Sequence, residues 1–243
     1  MKKTTSFVIF AKTPRLGAVK TRMQPRLTKT ECLQLHIYLL RHVISQLKAF
    51  QSPLLERAVF LTSPKKSFLG ELTKWTGGTR YSIHYQKGHD LGERLADAVE
   101  LKFRQGFRKV VIIGTDSPLI GPREFHLALE ALNNQEVVLG PAEDGGYYLI
   151  GLSAPKTFLF RGIHWGTEKV FHETITLMKA HSVSWGELPP SLDLDTFQDL
   201  RDFLARVGNE SAQGGDVNFQ ELLQLTRRLI GKSINPGGVD LSL

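Results

Sequence analysis

Apolar positions along this chain alternate between two spacings. Short apolar runs, as strands show, are interleaved with segments where apolar side chains recur every three or four positions, as amphipathic helices show. Ser6–Ala11 is the first run. A loop rich in Gly, Pro and basic residues follows, and Thr28 and Glu31 then stand at the spacing of a capping box. Leu33, Ile37, Leu40, Ile44 and Leu47 continue at helical intervals up to Ser52-Pro53, where the residue before proline leaves the helical region. Arg57–Thr62 reads as a second strand. Ser63-Pro64 reads as the start of a helix with Pro in its first turn, with Leu69, Leu72 and Trp75 on the core side and Gly77-Gly78 as its end. Tyr81–Tyr85 reads as a third strand, and Leu91, Leu95, Ala98, Val99 and Phe103 give the next helix one apolar side, closed by Gly106.

Lys109–Ile113 is a continuous apolar run of the kind a central parallel strand shows. Beyond it, 122–132, 168–179, 196–207 and 217–230 read as helices, and 136–139 and 147–152 as strands. Residues 208–216 read as a polar linker. The repeated alternation predicts an α/β fold with a doubly wound, mostly parallel sheet. Residues 1–207 are expected to form one domain, with 208–243 a linker, helix and tail of that domain or of an interface. In such sheets the ligand lies at the carboxyl ends of the strands, so polar motifs directly after strands are the ones to weigh.

Composition narrows the class. With 243 residues, 41% hydrophobic and 23% charged, the chain is neither disordered-like nor membrane-like. It is long enough to need neither a disulfide nor a structural metal for its core. The lone Cys32 excludes an intramolecular disulfide and a Cys-built zinc site. The apolar run after the first basic residues is shorter than a signal-peptide core, and the expected compartment is the cytoplasm.

The charge is uneven. The first thirty residues hold eight basic side chains (Lys2, Lys3, Lys12, Arg15, Lys20, Arg22, Arg26 and Lys29) and no acidic one, while the remainder is close to neutral. Such a cluster faces an anion or is a solvated charge run. No second basic stripe or aromatic RNA-binding pattern accompanies it, which argues against nucleic acid.

Four motifs carry candidate chemistry. After the first strand, Phe10 to Arg22 (FAKTPRLGAVKTR) pairs Gly17, which lets backbone approach a phosphate, with Lys20 and Arg22 as cations for its oxygens. The spacing is neither that of a Walker A loop nor that of a dinucleotide fingerprint, so phosphate binding of another kind and a basic surface loop both stay open. Gly114-Thr115-Asp116-Ser117-Pro118 ends the Lys109–Ile113 strand. A carboxylate there suits a divalent cation on substrate phosphates, or Asp116 or Ser117 is a helix cap. Leu192-Asp193-Leu194-Asp195-Thr196 places two carboxylates on one side of an extended segment, which a shared metal would relieve of repulsion; a cap by Asp195 or Thr196 is the plainer alternative. In Gly140 to Tyr148, Asp144-Gly145-Gly146 reads as a hairpin turn or as the floor under an acceptor, with Asp144 binding it or acting as base and Tyr147 and Trp165 lining the pocket. His164 lacks a metal-ligand partner by spacing. Asp90, Gly92 and Arg94 stand at a helix start, where they contact a nucleotide or simply cap the helix. There is no nucleophile elbow, zinc-protease motif or activated cysteine.

These segments (FAKTPRLGAVKTR, DLGERL, IIGTDSPLI, GPAEDGGYYLIGL, IHWGTE and LDLDTFQDL) together resemble, over roughly residues 6–207, a bacterial group of GT-A-like glycosyltransferases of the radical-SAM-associated or arsenosugar-biosynthesis type. The group is in turn similar to the 2-phospholactate and molybdenum-cofactor guanylyltransferases. The resemblance implies a three-layer α/β/α, nucleotide-diphospho-sugar transferase fold and a nucleotide donor contacted by Ala11, Lys12, Gly17, Lys20, Arg22 and Thr115. It also implies Mg2+ or Mn2+ on Asp116, Asp193 and Asp195. Ser117 departs from the pattern, since many relatives carry Cys there, so a thiol is not essential. The expected activity is a metal-dependent transferase, most readily a glycosyltransferase, with Asp144 and Lys20 as catalytic residues and a small-molecule acceptor. Nucleotidyl transfer with pyrophosphate release and a non-catalytic nucleotide- or polyanion-binding protein are the alternatives. All of this supposes that the front cations and the three aspartates converge.

Overall fold

The structure, a computed structural model, describes residues 4–52, 54–207 and 216–234. Lys2, Lys3, most of the expected linker and the end of the chain lie outside the described residues. Among the described residues there are seven strands: β1 (Thr5–Ala11), β2 (Leu55–Leu61), β3 (Tyr81–Tyr85), β4 (Lys109–Ile113), β5 (Val137–Pro141), β6 (Tyr147–Leu152) and β7 (Trp185–Glu187). The helices are α1 (Lys29–Ala49), α2 (Lys66–Thr76), α3 (Leu91–Arg104), α4 (Pro122–Asn134), α5 (Val170–Ala180), α6 (Phe197–Val207) and α7 (Val217–Ile234). The strands form one sheet in the order β3-β2-β1-β4-β6-β5-β7. It is parallel except at β6, which runs antiparallel to both β4 and β5. This is the expected three-layer α/β architecture with a mostly parallel sheet.

Contacts along the chain group it into two compact units, residues 1–13 with 43–193 and residues 14–42 with 194–243. The first holds the whole sheet. Alternation sends Val8, Ala58, Phe60, Val110, Ile112, Leu139 and Ile150 to one face, where Leu95, Ala98 and Val99 of α3 and Met178 of α5 complete a buried cluster. Phe7 faces the other way and meets Phe50 and Phe125 with ring centroids 5.4 Å apart. In the second unit the capping box at the start of α1 is present: Thr28 N donates to Glu31 Oε2 (2.9 Å) and Glu31 N to Thr28 Oγ1 (3.2 Å). Arg41 pairs with Glu221 of α7 at 3.1 Å, and Phe219 packs on Phe203 of α6.

Several local expectations shift. Leu33 and Ile37 lie at the margin of the buried side of α1, which centres on Cys32, Leu35, Leu39, Leu40 and Val43. Helix α2 starts after Pro64, at Lys66, and buries Phe68 and Leu72 rather than Leu69 and Trp75. Leu91, expected on the apolar side of α3, is exposed. β7 has no sequence signal of its own; Trp185, Gly186 and Glu187 become a strand by pairing with β5.

Near the amino ends of the strands the first unit buries an ion pair. Lys102 of α3 is fully buried, with Nζ 2.7 Å from Glu56 Oε1 on β2 and 3.2 Å from His84 Nε2 on β3. Ser6 and Ser82 hydroxyls also donate to Glu56. Burial pushes Glu56 up, but the bonds from Lys102, Ser6 and Ser82 together hold it below the usual carboxylate range. Burial, reinforced by the Lys102 charge, holds His84 below its ordinary 6.5. His84 and Glu56 both bind fewer protons folded than unfolded, so their stabilisation is present at neutral pH and is lost in two steps on acidification. The first begins below the ordinary histidine value and the second below the ordinary carboxylate value. Urea unfolding across pH 7 to 4 is expected to show both, with the upper step absent from His84→Gln. Lys102→Met, which strands Glu56, is expected to cost about 3–5 kcal/mol in the same assay.

Candidate active site

In the second unit, the basic loop is built around Lys20. Gly17 (φ 76°) and Lys20 (φ 48°) both adopt the left-handed region. For lysine this costs on the order of 1–3 kcal/mol and persists only where surrounding contacts impose it. Those contacts are evident: the Lys20 side chain is buried, and Nζ donates to the Leu194 carbonyl at 2.6 Å and to Asp195 Oδ1 at 3.2 Å. Arg22, largely exposed, places Nη1 3.5 Å from Asp195 Oδ2. Asp195 does not cap α6. Thr196 and Asp199 do, with Thr196 N donating to Asp199 Oδ2 at 2.6 Å and Asp199 N to Thr196 Oγ1 at 3.3 Å. Its carboxylate therefore serves the two cations.

In the first unit, the carboxyl end of β4 carries Gly114-Thr115-Asp116-Ser117. Gly114 N donates to the Tyr148 carbonyl at 2.8 Å, which ties this segment to β6. Thr115 and Ser117 are buried and Asp116 is half-buried. The Ser117 hydroxyl donates to Asp193 Oδ1. A hydroxyl is a stronger donor than a thiol, so serine binds the Asp193 carboxylate more firmly than a cysteine here would. Tyr148 Oη donates to the Pro189 carbonyl at 3.0 Å and so tethers the stretch leading to Asp193. Burial, then the charges of Glu124 and Asp193, hold the Tyr148 phenol well above its usual range.

The turn between β5 and β6 is a true hairpin: Ala142 N donates to Gly146 O and Gly145 N to Ala142 O, both at 3.1 Å. Asp144 Oδ1 accepts from Gly146 N at 2.9 Å. Gly145, at φ 87°, admits the chain at Glu168 so closely that a Cβ would collide with its carbonyl, and Phe171 N donates to Gly145 O at 2.8 Å. That approach brings the segment 162–171 onto the turn. There Trp165 meets Tyr147 edge-on with centroids 6.2 Å apart. Its indole nitrogen and the Phe160 carbonyl occupy the place a Cβ on Gly92 would need. Next to it, Glu173 of α5 holds His164 twice, accepting from the backbone N at 2.8 Å and bonding Nδ1 at 2.7 Å. These two bonds hold Glu173 below the usual carboxylate range.

The remaining expected nucleotide contacts have structural partners. Asp90 caps α3, accepting from Glu93 N at 2.8 Å. Arg94 Nε donates to Gly88 O at 3.0 Å and shapes the loop before the helix. The Ala11 carbonyl accepts from Gln86 Nε2 at 3.0 Å, and Lys12 is exposed. Among the described residues, no group of three or more His, Cys, Asp or Glu side chains is arranged to hold a metal ion. The structure thus joins Lys20 and Arg22 to Asp195, Ser117 to Asp193, and Gly92 to Trp165 and Tyr147. The His164–Glu173 pair has no signature in the sequence beyond a nine-residue separation, since α5 has to fold before the two meet. Gln86 is likewise silent, because its partners are backbone carbonyls.

Residues 40–167 match the DUF2064 family, described as an uncharacterised protein conserved in bacteria, and the chain belongs to that family. No curated protein matches it. Among solved structures, the chain is similar to a protein of Desulfovibrio desulfuricans G20 provisionally named a nucleotide-diphospho-sugar transferase. The two share 26% identity with a TM-score of 0.81, over 95% of this chain and 98% of the other. A cytidylyltransferase of Leptospira borgpetersenii serovar Hardjo-bovis is 15% identical with a TM-score of 0.52, over 98% and 99% of the two chains. The 4-diphosphocytidyl-2C-methyl-D-erythritol synthase of Anaerococcus prevotii is 10% identical with a TM-score of 0.54, over 85% and 99%. The last two likenesses concern the fold alone. No helix among the described residues is long and apolar enough to cross a membrane.

The two cations at Asp195 differ in burial and so in energetic weight. Asp195→Asn, which replaces the carboxylate beside the buried Lys20 ammonium by a neutral amide, is expected to cost roughly 1–2 kcal/mol in chemical unfolding. Arg22→Ala, at an exposed pair, is expected to cost less than about 1 kcal/mol.

Proposed function

We propose that this chain is a transferase that uses a nucleotide donor, and that the group it moves is a sugar taken from a nucleotide-sugar. The observation that supports the reading is the hydrogen bond from the Ser117 hydroxyl, in the segment that follows β4 and next to Asp116, to the Asp193 carboxylate. Carboxylates at the carboxyl end of a central strand stand where ligands enter open α/β sheets. The fold likeness to the Desulfovibrio protein supports a nucleotide-sugar donor. The motif resemblance to radical-SAM-associated and arsenosugar-biosynthesis glycosyltransferases favours sugar transfer within that class.

The donor set fits a hard divalent cation. Asp116 and Asp193 would supply oxygen ligands, and Mg2+ or Mn2+ needs only one or two carboxylates beside water and substrate phosphates. When bound, such a cation neutralises charge developing on a departing diphosphate. Asp195 is left out of this set because its oxygens face Lys20 and Arg22. Lys20 and Arg22, within the second unit, are the cations of the basic loop proposed to meet a phosphate. Lys20 is buried and fixed in the left-handed conformation before any substrate arrives, so little of its freedom remains to be lost on binding. Arg22 contributes an exposed charge, paired with Asp195.

Isothermal titration with GTP, CTP, UTP and their sugar diphosphates, with and without Mn2+, tests the reading. Binding is expected to depend on the metal and to weaken by tenfold or more (about 1.4 kcal/mol) in Asp116→Asn. Nucleoside diphosphate is the expected product. Pyrophosphate release identifies nucleotidyl transfer instead, and metal-independent binding unchanged in Asp116→Asn identifies a non-catalytic nucleotide-binding protein.

A further inference from the structure

We infer that His164, oriented by Glu173, is the proton acceptor for a hydroxyl-bearing acceptor substrate. The inference rests on the transferase reading and deepens it by fixing the class of acceptor. His164 is held at three points. Its backbone N donates to Glu173 Oε2 at 2.8 Å, its carbonyl accepts from Thr167 Oγ1 at 2.7 Å, and its Nδ1 lies 2.7 Å from Glu173 Oε1. An ionised carboxylate only accepts, so Nδ1 carries the proton and the lone pair of the neutral ring is on Nε2. The side chain is nonetheless 75% exposed. A histidine fixed through its backbone and one ring nitrogen while the ring stands open to solvent is a preorganised base.

Its surroundings place it at the ligand-binding end of the sheet. The adjoining Trp165 packs on Tyr147, the first residue of β6, and on Gly92 in the first turn of α3. Phe171 N, two residues before Glu173, is bonded to Gly145 of the β5–β6 turn. Asp144 is the other candidate base, but its Oδ1 accepts from Gly146 N within its own turn. Glu173 has the orienting role and His164 the role of base.

The step balances as follows. The acceptor oxygen bonds to the anomeric carbon of the donor as its proton passes to His164 Nε2. The bond from that carbon to the donor's phosphate oxygen breaks, leaving the electron pair on the nucleoside diphosphate, and the imidazolium returns its proton to solvent. A phosphate acceptor, already ionised at neutral pH, would have no proton for such a base to take. The dyad therefore argues for an alcohol acceptor and against nucleotidyl transfer to a phosphate.

The test uses the whole protein, a panel of UDP-, GDP- and CDP-hexoses as donors, and glycerol and methyl glycosides as probe acceptors. His164→Gln is expected to lower kcat by about 10²–10⁴-fold while donor affinity by calorimetry stays within about twofold. Glu173→Gln is expected to lower kcat on the order of 10–10³-fold, because a carboxamide no longer fixes the tautomer. Added imidazole is expected to restore part of the rate to His164→Ala, which no purely structural role allows. Full transfer by a folded His164→Gln overturns the base assignment and leaves the transferase reading standing. Transfer to phosphate compounds alone, with alcohols inert, overturns it equally. Absence of nucleotide binding by the unaltered protein overturns both.

Discussion

One strand running against the others determines what the carboxyl end of this sheet can do. β6 lies between β4 and β5 and is antiparallel to both, so its first residues arrive at the end where β4 finishes. The Tyr148 carbonyl then meets Gly114 N, and the hairpin leading into β6 is delivered beside the Gly114–Ser117 segment. A parallel strand in that position would have put its own last residues there, with a crossover helix beyond. The antiparallel strand supplies a tight turn instead, and Gly145 in that turn admits the Glu168–Phe171 stretch that carries Trp165 and His164 with it.

Two lysines are buried among the described residues, and they are treated differently. Lys102 is enclosed by Glu56, Ser82 and His84 near the amino ends of the strands, where it is part of the core. Its charge is matched and its removal is a stability matter. Lys20 is held by a backbone carbonyl and one carboxylate in a strained conformation on a glycine-containing loop. A matched buried pair organises a fold, whereas a cation fixed at a conformational cost is the arrangement that function tends to impose.

Much of the fold is legible in the sequence because its signals are local. The strands Lys109–Ile113 and Tyr147–Leu152 are marked by apolar runs and Tyr81–Tyr85 by alternation of Tyr81, Ile83 and Tyr85 with polar residues, and the Thr28–Glu31 capping box is both written in the chain and present. What escapes is non-local. β7 is a strand only because β5 offers it an edge, and the start of α2 after Pro64 is decided by which side chains, Phe68 and Leu72, reach the core. The site follows the same division. The motif carrying Asp193 and Asp195 is conspicuous, but the two carboxylates have different partners, Ser117 for one and Lys20 with Arg22 for the other. Alternation along an extended segment cannot reveal that split. His164 gains a role only through Glu173, and no spacing rule connects them.

The fit of Trp165 over Gly92 also bears on how this chain can diverge. An indole nitrogen and a backbone carbonyl fill the space a methyl group would take, so a lineage that retains the tryptophan is confined to glycine at position 92. Replacement of that glycine becomes accessible only after the aromatic ring has been lost or moved. Loss of the ring alone does not open the position, because the Phe160 carbonyl is the nearer contact and belongs to the backbone, so a side chain at 92 also requires the 160–165 segment to shift.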